Sequence, residues 1–575
     1  MIKRNFFLFL LIFTISLLNA CGSSSSDNTN TQEESSQEEG TQDEEGTQEV
    51  NTPPISPSNI SISGITWSTA VIIWGDNSDN ETGFVIEISE DDENYTQVAT
   101  TEENITEQII QNLDEQTTYY VRVTASNNYG NAISETSSFT TTSSTTNTTT
   151  AISQFGITWQ FSEAHQYGQF ANGDYWILGP VEITGIYPSS QEQYGFTTLD
   201  GFSQSSAEGA IIRVMNGSML NPSPTTGGTQ GYDSETFAWH PEQGKIYGTN
   251  YNSDLNAALN ISAEDPLTIS SATSLVSSVS HPNGYRPQIK TQAVLTILNS
   301  TPTEGSFRPP YSGTDKSINF NISQINYSLL EQLETVSSQP EISVVSNYFE
   351  KPWIDHVPNW GARYTHASDN MPDYGREISA QIGIAALMLH LDIPVEEKRE
   401  LLIRYLQLGI DLYGITENGG EDNWPANGGH ESGRKWPILF AGLVLGNDSM
   451  ANISNTDVQF GEDGQTFYVT QEVIDRTYRD GYGGYTSEHL GMAEYGIRHS
   501  YQPDVDDVSW DASYRRCCTA NAWAGFTLSA LIMDEKDTWN HNALFDYMDR
   551  YMETEPSGYY RQTSNFVEDM WDKYR

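Results

Sequence analysis

The hydrophobic pattern of this chain changes its period near residue 346. Before that point, short apolar segments such as residues 84–88 and 210–214 lie between Gly, Pro and Asn residues, and this pattern predicts β-strands. After it, residues 376–391 and 395–412 carry apolar side chains at helical spacing, which predicts two long helices. A chain of 575 residues is long enough for several domains. We therefore expect a multidomain protein with β-domains first and a helical domain last.

Further helices and strands are predicted on the two sides of this boundary. Helical spacing also appears over residues 325–336, 436–445, 519–533 and 540–552. Paired buried helices joined by long, glycine-rich loops are typical of an α/α toroid, and residues 346–575 are short for six helical hairpins, so we expect an incomplete toroid. Residues 153–345 are rich in predicted strands, and we expect a large β-sandwich. This architecture resembles that of polysaccharide lyases and some glycosidases, although a fold does not determine a function.

Residues 1–20 have the features of an export signal. Two basic residues precede an apolar run over residues 6–18, which is too short to cross a bilayer comfortably. The run ends at Leu-Asn-Ala-Cys, and this sequence resembles the lipobox of bacterial lipoproteins. The resemblance implies a lipid on Cys21 and an outer-membrane lipoprotein that faces the cell surface or the periplasm. The alternative is an ordinary secretory signal with a chance cysteine.

Two polar segments flank the first β-domain. Residues 21–54 are Ser, Thr, Gln, Asn, Glu and Asp with almost nothing apolar, a composition that predicts a disordered acidic tether. Residues 143–152 form a second, Ser/Thr-rich linker.

Residues 55–142 read as strands separated by turn residues. An early strand over residues 70–74 ends in a Trp, and residues 121–127 follow Tyr119 closely. This segment resembles a fibronectin type III domain, with Tyr119 as the residue of its tyrosine corner. The resemblance implies a β-sandwich that spaces the rest of the protein from the membrane or binds a surface weakly.

The charge of the chain limits its partners. A formal net charge of -50 argues against nucleic acid as a partner. However, 18 of the 27 Lys and Arg residues lie in residues 351–575, so an anionic ligand would bind there. Of the three cysteines, Cys517 and Cys518 are adjacent, and they either form a vicinal disulfide or are two small buried residues. We expect a monomer.

The densest group of reactive side chains lies in residues 417–436, between two predicted helices. Glycine is frequent there, and it is disfavoured unless the backbone turns sharply or approaches a ligand closely. The candidate residues of this loop are Asn423, Trp424, Asn427, His430, Arg434, Lys435 and Trp436. The two Trp side chains would offer flat apolar faces to sugar rings. The alternative is a structural loop whose Asn and Asp residues satisfy turn hydrogen bonds.

Two further groups lie nearby in the sequence. Residues 478–499 contain the candidates Tyr482, Tyr485, His489, Glu494 and Arg498. Tyr485 and His489 are four residues apart and share a face if the segment is helical. The alternative for the tyrosines is amphipathic packing. A polar, aromatic segment over residues 356–373 adds the candidate Arg363.

These residue types suit β-elimination from a uronate-containing, acidic polysaccharide. The reaction needs a group that neutralises the substrate carboxylate, a base and an acid. Toroid lyases, which the helical part resembles in architecture, use Asn, Arg or His for the first role and Tyr or His for the others. The resemblance assigns Asn427, His430 and Arg434 to neutralisation and Tyr485 and His489 to proton transfer. The remaining candidates, Asn423, Trp424, Lys435, Trp436, Arg363, Tyr482, Glu494 and Arg498, would bind substrate.

Two other functions stay open. A glycoside hydrolase would need two carboxyl groups. The candidates are Glu421, Asp422 and Glu431, paired with Asp373, Glu488 or Glu494. A non-catalytic surface protein that binds glycans would use the same Trp and Arg residues.

We expect no cofactor, with calcium as the one alternative. The acidic residues 504–507 offer oxygen ligands for calcium, but they lack the spacing of an EF-hand loop, so a solvated acidic loop is the favoured interpretation. No zinc motif, phosphate-binding loop or dinucleotide fingerprint occurs in the sequence.

Overall fold

The structure is a computed structural model of the chain. It describes residues 52–65, 68–111, 113–142, 147–194, 212–224, 228–234, 237–239, 246–248, 250–281, 287–476, 484–497, 508–511 and 513–575. The predicted signal and nearly all of the predicted tether lie outside the described residues, as do Cys21, Tyr482, Arg498 and the acidic residues 504–507. In the part of the chain that is described, no helix is long and apolar enough to cross a membrane.

The first domain is a β-sandwich, as the sequence predicts. Its strands are β1 (Ser58–Ser63), β2 (Ala70–Gly75), β3 (Gly83–Ser89), β4 (Thr96–Thr101), β5 (Glu107–Ile110), β6 (Thr118–Asn127), β7 (Gly130–Ile133) and β8 (Ser137–Thr140). One sheet has the order β1-β2-β5, and the other has the order β4-β3-β6-β7 with β8 also paired to β6. Trp74 and Phe84 pack in the core between them. The Tyr119 hydroxyl accepts the Asp114 N–H at 2.9 Å, which is the predicted corner bond.

A larger β-sheet region follows. Its strands are β9 (Thr148–Gln154), β10 (Ile157–Gln169), β11 (Tyr175–Leu178), β12 (Val181–Tyr187), β13 (Glu192–Tyr194), β14 (Ile212–Val214), β15 (Ser218–Leu220), β16 (Thr229–Gln230), β17 (Phe237–Trp239), β18 (Ile246–Gly248), β19 (Asn250–Tyr251), β20 (Leu267–Ile269), β21 (Thr273–Ser280) and β22 (Ile289–Leu298). Eight of them form one sheet in the order β15-β21-β22-β11-β10-β12-β20, with β9 on β10. Strand β9 begins inside the predicted linker, since its Thr-rich segment pairs with β10.

The side chains of β21 and β22 point alternately to the two faces of the sheet, and those on one face pack against the helices. Leu275 and Leu295 face the core of the sheet region. Their neighbours Val276 and Val294 face the opposite way, into the core that the helices share. Successive strand residues point to opposite faces, so one pair of strands fills two cores.

The C-terminal part is helical. Its elements are α1 (Ile342–Asn347), α2 (Gly375–Leu389), α3 (Val395–Thr416), α4 (Lys435–Val444), α5 (Asp448–Ala451), α6 (Gly461–Gln465), β23 (Thr466–Tyr468), α7 (Gln471–Asp475), β24 (Ala493–Tyr495), α8 (Ser513–Cys517), α9 (Ala524–Ile532), α10 (Lys536–Trp539), α11 (Asn542–Thr554) and α12 (Asn565–Tyr574). Helix α2 packs on α9, and α3 packs on α4. The crossing of α2 and α9 is close, because a Cβ on Gly383 would lie 2.8 Å from the Gly525 Cα.

The predicted helix over residues 325–336 is wrong. The segment contains only a short 3₁₀ turn at Tyr327–Leu329, which the Asn326 side chain caps. Further on, the Leu333 N–H donates to the His390 carbonyl at 2.8 Å, and the Asp392 N–H returns a bond to the Leu333 carbonyl. These bonds to the end of α2 replace the internal bonds that a helix needs.

The first domain contacts the body of the protein directly. The Gln111 amide donates to the Asn321 side chain at 2.9 Å. Arg399 on α3 binds the Glu107 carboxylate at 3.2 Å. Burial raises the pKa of Glu107 to about 7, while the charge of Arg399 acts in the opposite direction. This domain is therefore docked on the helical part rather than held only by its linker.

Candidate functional site

One buried carboxylate, that of Asp355, holds the glycine-rich loop over residues 417–434 in place by several hydrogen bonds. Asp355 lies 1% exposed. Its Oδ2 accepts the Arg434 Nε–H at 2.9 Å and the Trp424 indole N–H at 3.0 Å. Its Oδ1 lies 2.9 Å from the His366 Nε2, and its carbonyl accepts the Asn423 amide at 2.9 Å. Asp355 thus binds three side chains of the loop, those of Asn423, Trp424 and Arg434.

The electrostatics agree with a permanent ion pair. Burial raises the pKa of Asp355, but Arg434 and His366 outweigh it and bring that pKa down to about 2. Arg434 also donates to the carbonyls of His430 and Ser432. A guanidinium that is 1% exposed and held in this way cannot reach a polysaccharide. The predicted catalytic role of Arg434 and the predicted substrate contacts of Asn423 and Trp424 are therefore replaced by structural ones.

Two more of the predicted substrate-binding residues, Lys435 and Trp436, are buried at the start of helix α4. Trp436 is fully buried, stacks on Trp539 with ring centroids 5.9 Å apart, and donates its indole N–H to Ser529 at 3.1 Å. Lys435 is 2% exposed and donates to the Trp539 carbonyl at 2.7 Å and to Asp463 at 2.5 Å. The predicted stacking of sugar rings on Trp424 and Trp436 is therefore wrong, because the faces of both rings are covered by protein.

The accessible side of the loop carries a different cluster. The rings of His430 and Tyr374 meet edge to face, with centroids 4.7 Å apart. The Tyr374 hydroxyl lies 3.1 Å from that of Tyr514. All three side chains are partly exposed, as is Asn427, whose carbonyl accepts the His430 N–H at 3.2 Å. We call His430, Tyr374, Tyr514 and Asn427 the phenol–imidazole cluster.

Two glycines allow the loop to approach these phenols. Gly428 has φ +59°, and a Cβ there would lie 2.7 Å from the Tyr514 hydroxyl. A Cβ on Gly429 would lie 2.4 Å from the Tyr374 hydroxyl and 2.1 Å from the Cys518 carbonyl. Real Cβ atoms do not come this close, so the cluster requires glycine at both positions.

The Arg376 side chain and the Cys517–Cys518 disulfide lie next to the phenol–imidazole cluster. Arg376, two residues after Tyr374, donates to the Cys517 carbonyl and forms an ion pair with Glu377. Cys517 and Cys518 are joined to each other by a disulfide, so the first of the two alternatives from the sequence is the one observed. Burial and the neighbouring Tyr514 hydroxyl raise the pKa of Tyr374, so its phenol keeps its proton at neutral pH.

The second predicted group lies on other elements. Tyr485 is 7% exposed and packs against Phe467 and His489, with centroids 6.0 and 6.1 Å away. The contact between Tyr485 and His489 is therefore present, although the segment forms a 3₁₀ turn over Ser487–His489 rather than a helix. His489 Nδ1 accepts the Thr486 N–H at 2.9 Å and so closes that turn.

Glu494 serves the packing of β24. It is fully buried and binds Arg515 at 2.9 Å and Arg550 at 3.3 Å. The guanidinium groups of both arginines lie over the Trp510 ring, 4.8 and 4.9 Å from its centroid. A carboxylate held by two arginines in this way is a structural ion pair, so the predicted role of Glu494 in substrate binding is corrected.

Arg363 and Asp373 form an ion pair at 3.0 Å. Both side chains are partly exposed, 21% and 34%. Asp373 directly precedes Tyr374 in the sequence. The predicted candidate Arg363 is therefore linked to the cluster through the chain at Asp373 and has a carboxylate as its partner.

One unusual carboxyl group belongs to the same loop. Glu431, next to His430, is 2% exposed. Burial raises its pKa to about 8, with Asp355 adding to the effect and Arg434 opposing it. Its neutral form is therefore favoured far more than that of an ordinary, exposed glutamate.

Among the residues that the structure describes, no group of three or more His, Cys, Asp or Glu residues is arranged to hold a metal ion. The acidic residues 504–507, which were the calcium alternative, are outside that set.

Tyr374 and Tyr514 were missed by sequence reasoning. They are 140 residues apart, and neither lies in a glycine-rich segment. The one local signal was the position of Tyr374 at the start of a predicted helix beside the third candidate group.

Comparison with known proteins identifies one part of the chain. The family model for the fibronectin type III domain matches residues 55–142. Similar solved structures include domains of titin, at 25% identity over 16% of this chain and 32% of the titin structure, with a TM-score of 0.15. A computer-redesigned β-sandwich protein is 28% identical over 16% of this chain and 91% of its own, with a TM-score of 0.14. A domain of human collagen XX is 19% identical over 15% and 91%, with a TM-score of 0.14.

No curated protein matches the chain. These similarities concern the first domain alone and say nothing about the helical part. Residues 55–142 form a fibronectin type III domain.

Proposed function

We propose that this protein is a polysaccharide lyase that cleaves an acidic, uronate-containing polysaccharide by β-elimination. The observation that supports it best is the phenol–imidazole cluster, in which the His430 imidazole contacts Tyr374 and the Tyr374 hydroxyl lies 3.1 Å from that of Tyr514. It places an imidazole and two phenols together on the accessible side of a loop. Residues 351–575 hold 18 of the 27 Lys and Arg residues of the chain, and this concentration of cations supports an anionic substrate.

The cluster suits the proton transfers of an elimination. His430 would take the proton from the carbon next to the carboxylate, and the electron pair would form a carbon–carbon double bond as the bond to the leaving oxygen breaks. Tyr374, which keeps its proton at neutral pH, would protonate that oxygen. Asn427 would donate hydrogen bonds to the substrate carboxylate, whose charge grows in the transition state.

A screen of the chain against uronic-acid and sulfated polysaccharides tests this function. Ultraviolet absorbance reports new double bonds, and a reducing-end assay reports chain cleavage of any kind. We expect both signals to rise together on at least one uronate polymer. Reducing ends without absorbance would indicate hydrolysis, and tight binding without chain shortening would indicate a non-catalytic glycan-binding protein.

A glycoside hydrolase is the second candidate, and Glu431 is the observation that favours it. A carboxyl group whose pKa is raised suits a general acid, but Glu431 is only 2% exposed, so this role requires the glycine-rich loop to open when substrate binds. Asp373 would be the second carboxyl group, since it lies beside Tyr374 and keeps its side chain 34% exposed. Glu494 no longer qualifies, because two arginines hold it.

The substitution Glu431→Gln separates the two candidates. The amide has the shape of the neutral acid, so we expect the variant to fold and, under the elimination mechanism, to retain its turnover. If Glu431 is a general acid, turnover should fall by about 10²–10⁴-fold. Initial rates on the substrate from the screen decide between these results.

The pH dependence of stability gives a control for that variant. The folded-state pKa of Glu431, about 8, lies above its ordinary value of 4.5. The folded state therefore binds the proton more tightly than the unfolded state, and Glu431 lowers the free energy of unfolding as pH rises from about 5 to 8. Glu431→Gln should reduce that loss, which urea unfolding at several pH values measures.

We also propose that the eight-stranded sheet is a bent β-sandwich and that the helices form an incomplete α/α toroid. The indole N–H of Trp159 on β10 donates to Ser277 on β21 at 3.0 Å, a bond across the core of the sheet region. Helices α2 and α3 follow each other directly and pack together, and α9 and α11 do the same after the short α10.

The lipid anchor is a further proposal, based on the sequence of residues 1–21. When the full chain is expressed in a bacterium fed a labelled fatty acid, we expect the label on the wild-type protein and its recovery in the membrane fraction. Cys21→Ala should lose the label, while Ser23→Ala should keep it. Equal labelling of wild type and Cys21→Ala would contradict lipidation at Cys21.

A further inference from the structure

Two adjacent tyrosines beside the phenol–imidazole cluster are exposed. Tyr559 and Tyr560 are 54% and 55% exposed, among the highest values for large apolar side chains in the described residues. Their ring centroids are 5.9 Å apart and their planes meet at 66°. The two rings therefore form a corner that presents ring surface to solvent.

The backbone that carries this corner is held firmly. The Tyr559 carbonyl accepts the Asn521 amide at 3.4 Å, and the Tyr560 carbonyl accepts the Tyr551 hydroxyl. Just after the corner, Arg561 donates to the Met552 carbonyl at 2.9 Å. These bonds hold the backbone at both tyrosines, and the exposed faces of the two rings add nothing to the core. Rigid, exposed aromatic side chains are characteristic of binding sites, because little conformational entropy is lost when a ligand covers them.

The corner is continuous with the phenol–imidazole cluster. The Tyr559 hydroxyl accepts a hydrogen bond from Arg376 at 3.0 Å, and Arg376 is two residues from Tyr374. On the other side, the Arg516 guanidinium lies 5.3 Å from the centre of the Tyr560 ring. Both arginines are already paired, Arg376 with Glu377 and Arg516 with Glu555. The corner therefore offers apolar ring surface and hydroxyl groups rather than a free positive charge.

We propose that Tyr559 and Tyr560 form a sugar-binding subsite, on which the apolar face of a pyranose ring of the polysaccharide packs next to the residue that is cleaved. This subsite rests on the proposed function and supplies the aromatic surface that Trp424 and Trp436 cannot offer. A subsite of this kind positions the chain and takes no part in proton transfer. Its loss should weaken binding and raise KM while leaving kcat close to that of the wild type.

Calorimetric titration of the full chain with oligogalacturonate, oligomannuronate and cello-oligosaccharides tests the subsite. We expect Tyr559→Ala combined with Tyr560→Ala to raise Kd for the bound oligosaccharide by about tenfold or more, and the corresponding pair of Phe substitutions to change it less. Tyr129→Ala is the matched control, since Tyr129 is also 54% exposed but lies on the fibronectin type III domain. If the double Ala variant does not fold, nitration of the wild-type tyrosines, mapped by mass spectrometry, should show protection of Tyr559 and Tyr560 by the oligosaccharide.

The outcomes are distinct. Wild-type binding that is unchanged in a folded double Ala variant, or ligand that leaves both tyrosines open to nitration, would overturn the subsite alone. A wild-type chain that binds none of these sugars and cleaves no polysaccharide would overturn the subsite together with the proposed function.

Discussion

Tyr374→Phe and His430→Ala are each expected to lower the turnover of acidic polysaccharide by about 10²–10⁴-fold, the usual contribution of a positioned acid or base. The phenylalanine ring keeps the packing against His430 and loses only the hydroxyl that would protonate the leaving oxygen. His430→Ala removes the proposed base. Initial rates of ultraviolet absorbance on the substrate from the screen measure both effects.

Tyr468→Phe is the matched control for the tyrosine variant. Tyr468 belongs to the same helical part, and its hydroxyl donates to Asp546 outside the phenol–imidazole cluster. We expect this variant to keep its turnover. Wild-type turnover in a folded Tyr374→Phe or His430→Ala variant would remove that residue from the mechanism.

Asp355→Asn is expected to lower the free energy of unfolding by about 3–5 kcal/mol, because it leaves the buried Arg434 guanidinium without its counter-charge. The pair is 1–2% exposed on both sides, and Asp355 also holds Trp424 and His366. The glycine-rich loop should therefore loosen as well. Urea unfolding followed by tryptophan fluorescence measures the change.

Asp369→Asn gives the comparison for that substitution. Asp369 binds Lys351 at 2.8 Å in a partly exposed ion pair, and removal of such a pair changes stability by about 1 kcal/mol or less. A loss of stability in Asp355→Asn no larger than in Asp369→Asn would show that the buried network does not hold the loop.

Sequence patterns predicted the elements whose signal is local. Helices α2 and α3 were predicted within a few residues of their ends, since each has many apolar side chains at helical spacing. The fibronectin type III domain was recognised because alternation, turns and Tyr119 all lie within one short segment. The amphipathic helix α12 was missed, because its ten residues give a short pattern near the end of the chain.

Long-range contacts decided what the sequence could not. Residue types suggested that Arg434 and Trp424 face substrate. Both side chains instead bind the buried Asp355, which precedes Arg434 by 79 residues and Trp424 by 69. The glycines that marked the loop did indicate a close approach, yet the side chains approached are Tyr374 and Tyr514, which come from two distant segments. A pattern within one segment shows where the backbone must turn and does not show which side of the turn is covered.

The same limit applies to the docking of the first domain. The polar linker gives no indication of a contact, yet Glu107 binds Arg399 across 292 residues of sequence. Neither residue carries a local signal of that contact. The docked arrangement of this domain is revealed only by the three-dimensional structure, and the expected spacer role stays a prediction.

Counting products tests the central idea, that the phenol–imidazole cluster performs elimination, more directly than any rate. Each elimination creates one carbon–carbon double bond and one new reducing end, whereas hydrolysis adds water and creates no double bond. We predict a one-to-one ratio of double bonds to new reducing ends for the wild-type chain, with both signals falling together in Tyr374→Phe. New reducing ends with no double bonds, or a one-to-one ratio formed at the wild-type rate by Tyr374→Phe and His430→Ala, would contradict it.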